Sequence, residues 1–287
     1  MRPFTLFILV VSFLHSCKVG SKKEESIAPK LDSLKANAYQ RLFSAESRLS
    51  DIEMAATDEE KYAFVKSYFP YLLNRGDSAF LESVFAVDFN NDGKKDFIYS
   101  GPGVLTTHSI VAITGDTARF SEQCLIIDMD KVDKKVRRLY TNSIISTGGP
   151  AVEGYSIYDI NYDGGAVTFV KRFDCELIDR TPSPATYDAF NVESIEDSLI
   201  VRSEPAAVDA PWDYMLALPG NQLGKVPRGT QAIVAGSTKD TLNTVWYFAL
   251  IKPGYKIHGY PYMNMTFDPK DGRHRVVWTR ADGWKRK

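Results

Sequence analysis

The chain has 287 residues, of which 44% are apolar, 12% aromatic and 25% charged, and its formal net charge is −1. This is a globular composition, which excludes gross disorder, collagen-like repetition and a disulfide-dense miniprotein. The near-balanced charge lacks the basic footprint of a nucleic-acid binder, and three cysteines with four histidines are too few for a multi-zinc module.

At the N-terminus, Met1-Arg2 supplies a positive region and Phe4–Leu14 an apolar run broken only by Thr5 and Ser12. A helix needs roughly twenty apolar residues to cross a bilayer. This run is too short for that and has the length of the apolar region of a secretory signal. It ends in Leu14-His15-Ser16-Cys17, which resembles the lipobox of bacterial lipoproteins: Leu at −3, a small residue at −1, then Cys. His15 departs from the small residue usual at −2. The resemblance implies that residues 1–16 are removed, that Cys17 is acylated with lipid, and that the protein is held in the outer membrane, on its periplasmic or surface face. Removal of Arg2 moves the charge from −1 to −2. Residues 17–30 then read as the lipidated cysteine and a polar tether without apolar periodicity. Its Ser21-Lys22-Lys23-Glu24-Glu25 stretch is similar to the short charged signal of surface lipoproteins in the Bacteroidota, and serves equally as a solvated spacer.

Residues 31–76 have a helical pattern. Leu31, Leu34, Ala38, Leu42, Ala45, Leu49 and Ile52 recur at spacings of three and four and predict one apolar stripe packed on the β region. A second helix is expected to open at Thr57, where Thr57 and Glu60 fit a capping box. It should bury Tyr62, Val65, Phe69 and Leu72, with a kink or an early end at Pro70.

From 77 to 190, short apolar runs alternate with turn residues: Ser83–Val87, Phe97–Ser100, Ser109–Ile113, Leu125–Ile127, Ser143–Ser146, Tyr155–Ile160 and Ala166–Val170. This predicts an antiparallel sheet or sandwich. Thr181-Pro182-Ser183-Pro184 reads as a linker. Cys124 and Cys175 lie in strand-like runs, and either one disulfide between them or two buried thiols satisfies the pattern. A catalytic Cys175 is disfavoured, because the residue sits in a strand pattern and not at a helix start that would lower its pKa.

The most specific chemical pattern is Asp88-Phe89-Asn90-Asn91-Asp92-Gly93-Lys94-Lys95-Asp96. Asp88, Asn90, Asp92 and Asp96 place oxygen side chains at positions 1, 3, 5 and 9, with the carbonyl of Lys94 at position 7 and Gly93 at the sharp turn. An all-oxygen set suits calcium better than zinc. Position 12 is Tyr99 and strand-like runs flank the loop, so an EF-hand is disfavoured. The arrangement resembles the calcium loop of FG-GAP and VCBS repeats, which implies a structural Ca2+ on these residues. That family builds propellers from many copies, whereas one good copy is present here. Asp159-Ile160-Asn161-Tyr162-Asp163-Gly164 repeats the first half of the pattern without its closing carboxylate and reads as a hairpin turn.

Residues 195–287 carry a second resemblance. Ser198-Leu199-Ile200-Val201-Arg202-Ser203-Glu204-Pro205, the Leu223–Thr230 turn, Val245-Trp246-Tyr247-Phe248 and Val277-Trp278 or Gly283-Trp284 are similar to a bacterial SH3-like (SH3b) domain. Inserts at Ala206–Asn221 and Lys252–Asp271 depart from it. The resemblance implies a small barrel that contacts cell-wall peptides or glycans. Tyr260, Tyr262 and Trp278 are the candidate ligand-stacking residues, while Trp246 is assigned to the core. The basic residues between Arg273 and Lys287 read as a solvated tail or a contact for acidic groups.

No nucleophile elbow, zinc-protease helix, P-loop or dinucleotide fingerprint is present, and His108, His258 and His274 are isolated in sequence. The expected fold class is α+β, mostly β: an N-terminal helical segment, an antiparallel β middle region and a C-terminal SH3-like barrel. The expected function is that of a lipid-anchored cell-envelope binding protein with no catalytic residues assigned. The alternative is an envelope enzyme, or an inhibitor of one, acting through a cleft between the two β regions.

Overall fold

The computed structural model describes residues 34–44, 47–75, 79–103, 106–115, 119–144, 152–163, 166–178, 181–208, 210–213, 218–259 and 272–287. Residues 1–33, which include Cys17 and the segments expected to be a signal and a tether, and Tyr260 and Tyr262 lie outside the described residues. The fold is α+β and mostly β, with two α-helices against antiparallel sheets.

Helix α1 (Ala36–Phe43) ends where Ser44 turns extended, at ψ 136°, and Leu49–Ile52 is a separate 3-10 turn. The stripe predicted as one helix is therefore divided between two cores. Leu34, Ala38 and Leu42 enter the first, and Leu49 enters another. Arg41 anchors α1, with Nη1 2.9 Å from Asp128 and Nε 3.0 Å from Asp130. Helix α2 (Asp58–Tyr68) opens on the predicted capping box: Glu60 N–H donates to Thr57 Oγ1 at 3.3 Å, and Thr57 N–H to Glu60 Oε2 at 2.9 Å. Pro70 lacks an N–H and starts a 3-10 turn instead of continuing the helix. Phe64, Val65, Phe69 and Leu72 are buried, whereas Tyr62, predicted to be buried with them, is 46% exposed.

The first sheet is β1 (Val84–Val87), β2 (Asp96–Pro102), β3 (Thr107–Ala112) and β4 (Arg119–Glu122), antiparallel in that order. Strand alternation splits its side chains. Tyr99 and Ile110 face α2, and Ile98 and Val111 face the opposite core. No sequence pattern marked β4, because Phe120 is the one apolar residue among its four.

A meander follows: β5 (Leu125–Val132), β6 (Lys135–Ile144), β7 (Val152–Asp163) and β8 (Ala166–Ile178). The remaining strands are β9 (Thr186–Ser194), β10 (Leu199–Arg202), β11 (Trp212–Asp213), β12 (Leu218–Pro219), β13 (Gln222–Val226), β14 (Gln231–Lys239), β15 (Val245–Ile251), β16 (His274–Arg280) and β17 (Trp284–Arg286). The large sheet runs β17-β9-β14-β15-β16-β8-β7-β6-β5, with β10 joining β16 to β13.

Two expectations about organisation are corrected by this topology. The middle and C-terminal regions are joined in one sheet, because β16 pairs in parallel with β8 through His274 opposite Cys175 and Arg275 opposite Glu176. Strand β9, which begins within the predicted middle region and runs past its end at 190, pairs with β14 and β17 of the C-terminal region. The C-terminal strands do not close into a barrel: among the described strands, β13 pairs with β10 alone and β17 with β9 alone.

The Thr181–Pro184 segment is packed rather than a free linker. Ser183 Oγ donates to Phe43 O at 2.9 Å, and Trp278 Nε1 donates to Pro182 O at 3.1 Å.

Candidate functional site

The Asp88–Asp96 loop connects β1 to β2 and crosses the left-handed region at Asn91 (φ 60°) and Gly93 (φ 80°). Glycine enters that region without steric cost, and asparagine tolerates it better than most residues. The loop's oxygens are turned onto its own main chain. Asp88 Oδ1 accepts from Asp92 N and Oδ2 from Gly93 N, each at 3.1 Å. Asn90 Oδ1 accepts from Asp92 N at 3.1 Å, and Asp92 Oδ1 from Lys94 N at 2.9 Å. The Lys94 N–H holds the Asp92 carboxyl below its ordinary range.

Asp96 differs from the rest of the loop in being fully buried. Its Oδ2 accepts from Phe89 N at 2.8 Å and its Oδ1 from Thr114 N at 2.7 Å, which ties the loop to the end of β3. Burial pushes its pKa up, the negative charges of Asp92 and Asp88 add to the rise, and the two N–H donors oppose it. Beneath the loop, Phe89 O accepts from Val136 N at 2.9 Å and from Tyr162 Oη at 3.0 Å.

The donor set is oxygen-only, which is the chemistry of a hard cation, and each carboxylate has lone pairs beyond those used by N–H groups. In the geometry described, the side chains serve the backbone, and no cluster of three or more His, Cys, Asp or Glu suited to a metal occurs among the described residues. The second half-motif is a hairpin, as its sequence suggested: Asp163 pairs with Ala166, and Asp159 is held by Arg138 at 2.9 Å and Arg172 at 3.6 Å.

Several predicted site residues are displaced from function by burial. Trp278, expected as a stacking residue, is corrected to a core residue. It is fully buried with its ring centroid 5.1 Å from that of Phe248, because β16 is covered on both faces. Trp246 is buried as expected. Of the two alternatives left open for Cys124 and Cys175, the structure shows the pair of buried thiols. Both thiols are free and lie in different cores, Cys124 beneath the first sheet and Cys175 beneath α1. Burial pushes the Cys124 thiol up to about 12 and that of Cys175 well above its ordinary value, so neither is a ready nucleophile.

The C-terminal cations are largely engaged. Arg275 pairs with Glu176, Arg273 with Asp174, Arg280 with Asp282 and Lys287 with Glu193, and the Arg286 guanidinium lies 4.2 Å from the Phe190 ring centroid. At the seam where the alternative reading required a cleft, β8 and β16 are hydrogen-bonded neighbours.

Sequence reasoning missed one pairing. His108 Nε2 lies 3.1 Å from Ser121 Oγ, across β3 and the unforeseen β4. Comparison of the chain with family models, curated proteins and solved structures gives no match.

Proposed function

We propose that the chain is a lipid-anchored binding protein of the bacterial cell envelope. The observation that carries this reading is the apolar run Phe4–Leu14 ending in Leu14-His15-Ser16-Cys17, followed by a polar tether. Acylation of Cys17 would fix the N-terminus to the membrane and leave the region from α1 onward to meet ligands. Helix α1 suits such a load-bearing junction, since Arg41 ties it to Asp128 and Asp130 on β5.

Two further elements belong to the reading. The Asp88–Asp96 loop would hold one structural Ca2+ through Asp88, Asn90, Asp92, Asp96 and the Lys94 carbonyl, a role supported by its oxygen-only donors. The C-terminal region would serve as an SH3-like contact module for cell-wall peptide or glycan. Support comes from the antiparallel order β14-β15-β16, the β10–β13 pair and the 3-10 turn Ala281–Gly283 before β17; Tyr260 and Tyr262 are its candidate ligand-stacking residues by sequence.

The anchor is tested by growing cells that express the chain with an alkyne fatty acid. Wild type should carry the label in the membrane fraction, and Cys17→Ala should lose both the label and membrane retention. A wild type without label overturns the anchor. The module is tested by retention on purified peptidoglycan, where Tyr260→Ala/Tyr262→Ala should weaken binding and equal retention of variant and wild type counts against it.

A further inference from the structure

Helix α2 and the 3-10 turn after it lie over β1 and β2, and an open groove runs beside them, between α2, Phe97 and residues 112–115 at one end and over β3 and β4 at the other. It has two lobes of about 530 and 360 Å3 that share Tyr68, a size typical of small-molecule sites. The Arg119 guanidinium lies 5.0 Å from the Tyr68 ring centroid and is not among the described lining residues of either lobe.

The smaller lobe is lined by Tyr68, Tyr71, Thr106, His108, Ser121 and Gln123, with Phe69 and Ile110 beneath, and no Asp, Glu, Lys or Arg is among its described lining residues. In the larger lobe the one acidic residue, Glu60, is neutralised by Lys95 Nζ at 2.7 and 2.8 Å from its two oxygens. His108 is held by Ser121 Oγ at 3.1 Å and by the Phe69 ring, edge-on at 5.6 Å. Burial lowers its pKa, which keeps the imidazole neutral at neutral pH.

Hydroxyls, an amide and an imidazole, each able to donate and accept, beside aromatic rings and without net charge, match a ligand built of hydroxyls on an apolar ring. Strand addition to β3, the floor, is closed because β2 and β4 already pair with it, and a peptide control tests the remaining edge at β4. We infer that this groove binds a neutral oligosaccharide, one sugar unit or more in each lobe, with Tyr71, His108 and Ser121 as contact residues. The inference does not rest on the anchor or the SH3-like reading.

The test is calorimetric titration of the full chain with cellotetraose, maltotetraose and chitotetraose, with tetragalacturonate as the anionic control and a neutral Ala-Ser-Gly-Ala peptide as the main-chain control. At least one neutral tetrasaccharide should bind in the millimolar range or tighter. Tyr71→Ala should weaken it about tenfold or more. Ser121→Trp, at an exposed position where added bulk fills the groove without entering the core, should abolish it. Failure of all three neutral sugars, equal or tighter binding of the anion or peptide, or full affinity in Ser121→Trp would each overturn the proposal.

Discussion

Arg275 and Glu176 form a buried ion pair, Nε to Oε1 3.0 Å, at the parallel register that joins β16 to β8. The two regions that the sequence divides are locked at this point, and the charges are far enough from water that each depends on the other.

Removing one partner should therefore cost far more than removing both. Glu176→Gln or Arg275→Leu alone should lower stability by about 3–5 kcal/mol, whereas Glu176→Leu/Arg275→Leu should recover most of that loss. Urea denaturation of the three variants measures the coupling. Additive losses would show that the pair does not hold the seam.

Gly236 sits at an irregularity in the register of β14 with both β15 and β9. A Cβ there would lie 2.5 Å from Thr186 O and 2.6 Å from Pro184 Cγ, so the β9 backbone at Thr186 and the Pro184 ring would have to shift. Gly236→Ala should destabilise by about 1–3 kcal/mol, read from the same denaturation curves.

The calcium proposal predicts a thermal signature. Wild type should melt higher in calcium than in chelator, and Asp92→Ala should lose that increment while matching wild type in chelator. Asp96 adds a pH test. Its folded pKa is raised, so the folded state binds its proton more tightly than the unfolded chain does. In chelator, its contribution to stability should fall as pH rises from the ordinary carboxylate range through the raised folded value. Calcium, which takes the ionised form, should remove that fall. A melting temperature indifferent to chelator at every pH would sink the metal.

His274 gives the opposite slope. Its Nδ1 lies 3.3 Å from Asp174 O, an acceptor, so Nδ1 carries the proton of a neutral ring packed 5.1 Å from Phe173. Burial lowers its pKa to about 4. The charges of Lys252 and Arg275 act in the same direction, opposed by Asp174 and its carbonyl. The unfolded chain therefore binds more protons between the ordinary histidine value and about pH 4. Stability from this group is full above that window and is lost as pH falls through it, by at most about 3 kcal/mol. His274→Gln should flatten stability against pH in that range.

Cys124 and Cys175 should be silent to an aromatic disulfide reagent at pH 8 in a folded Cys17→Ser chain and should both react once it is unfolded, since each is buried with a raised pKa. Fast labelling of the native chain would contradict their placement.

What was legible in sequence was local. The Thr57–Glu60 capping box, the helix end at Pro70 and most strands between Val84 and Val170 follow from spacing, missing N–H groups and alternation, all properties of neighbouring residues, whereas the run Ser143–Ser146 met only the end of β6. The Asp88–Asp96 turn was legible for the same reason, since its Asn, Asp and Gly residues bond to groups within a few positions. Strand β4 escaped notice because its stability comes from pairing with β3 and from one buried side chain, Phe120. The His108–Ser121 pair escaped with it.

The sequence by itself determined a mostly β chain with a helical start and an oxygen-rich loop, and it carries a short apolar run shortly before Cys17. Tertiary structure alone decided that Trp278 is core and not a ligand platform, that Cys124 and Cys175 stay apart, and that β8 and β16 make one sheet of two regions. Those outcomes depend on which faces become covered by residues about a hundred positions away, as Trp278 is by Pro182, and no local pattern encodes that distance.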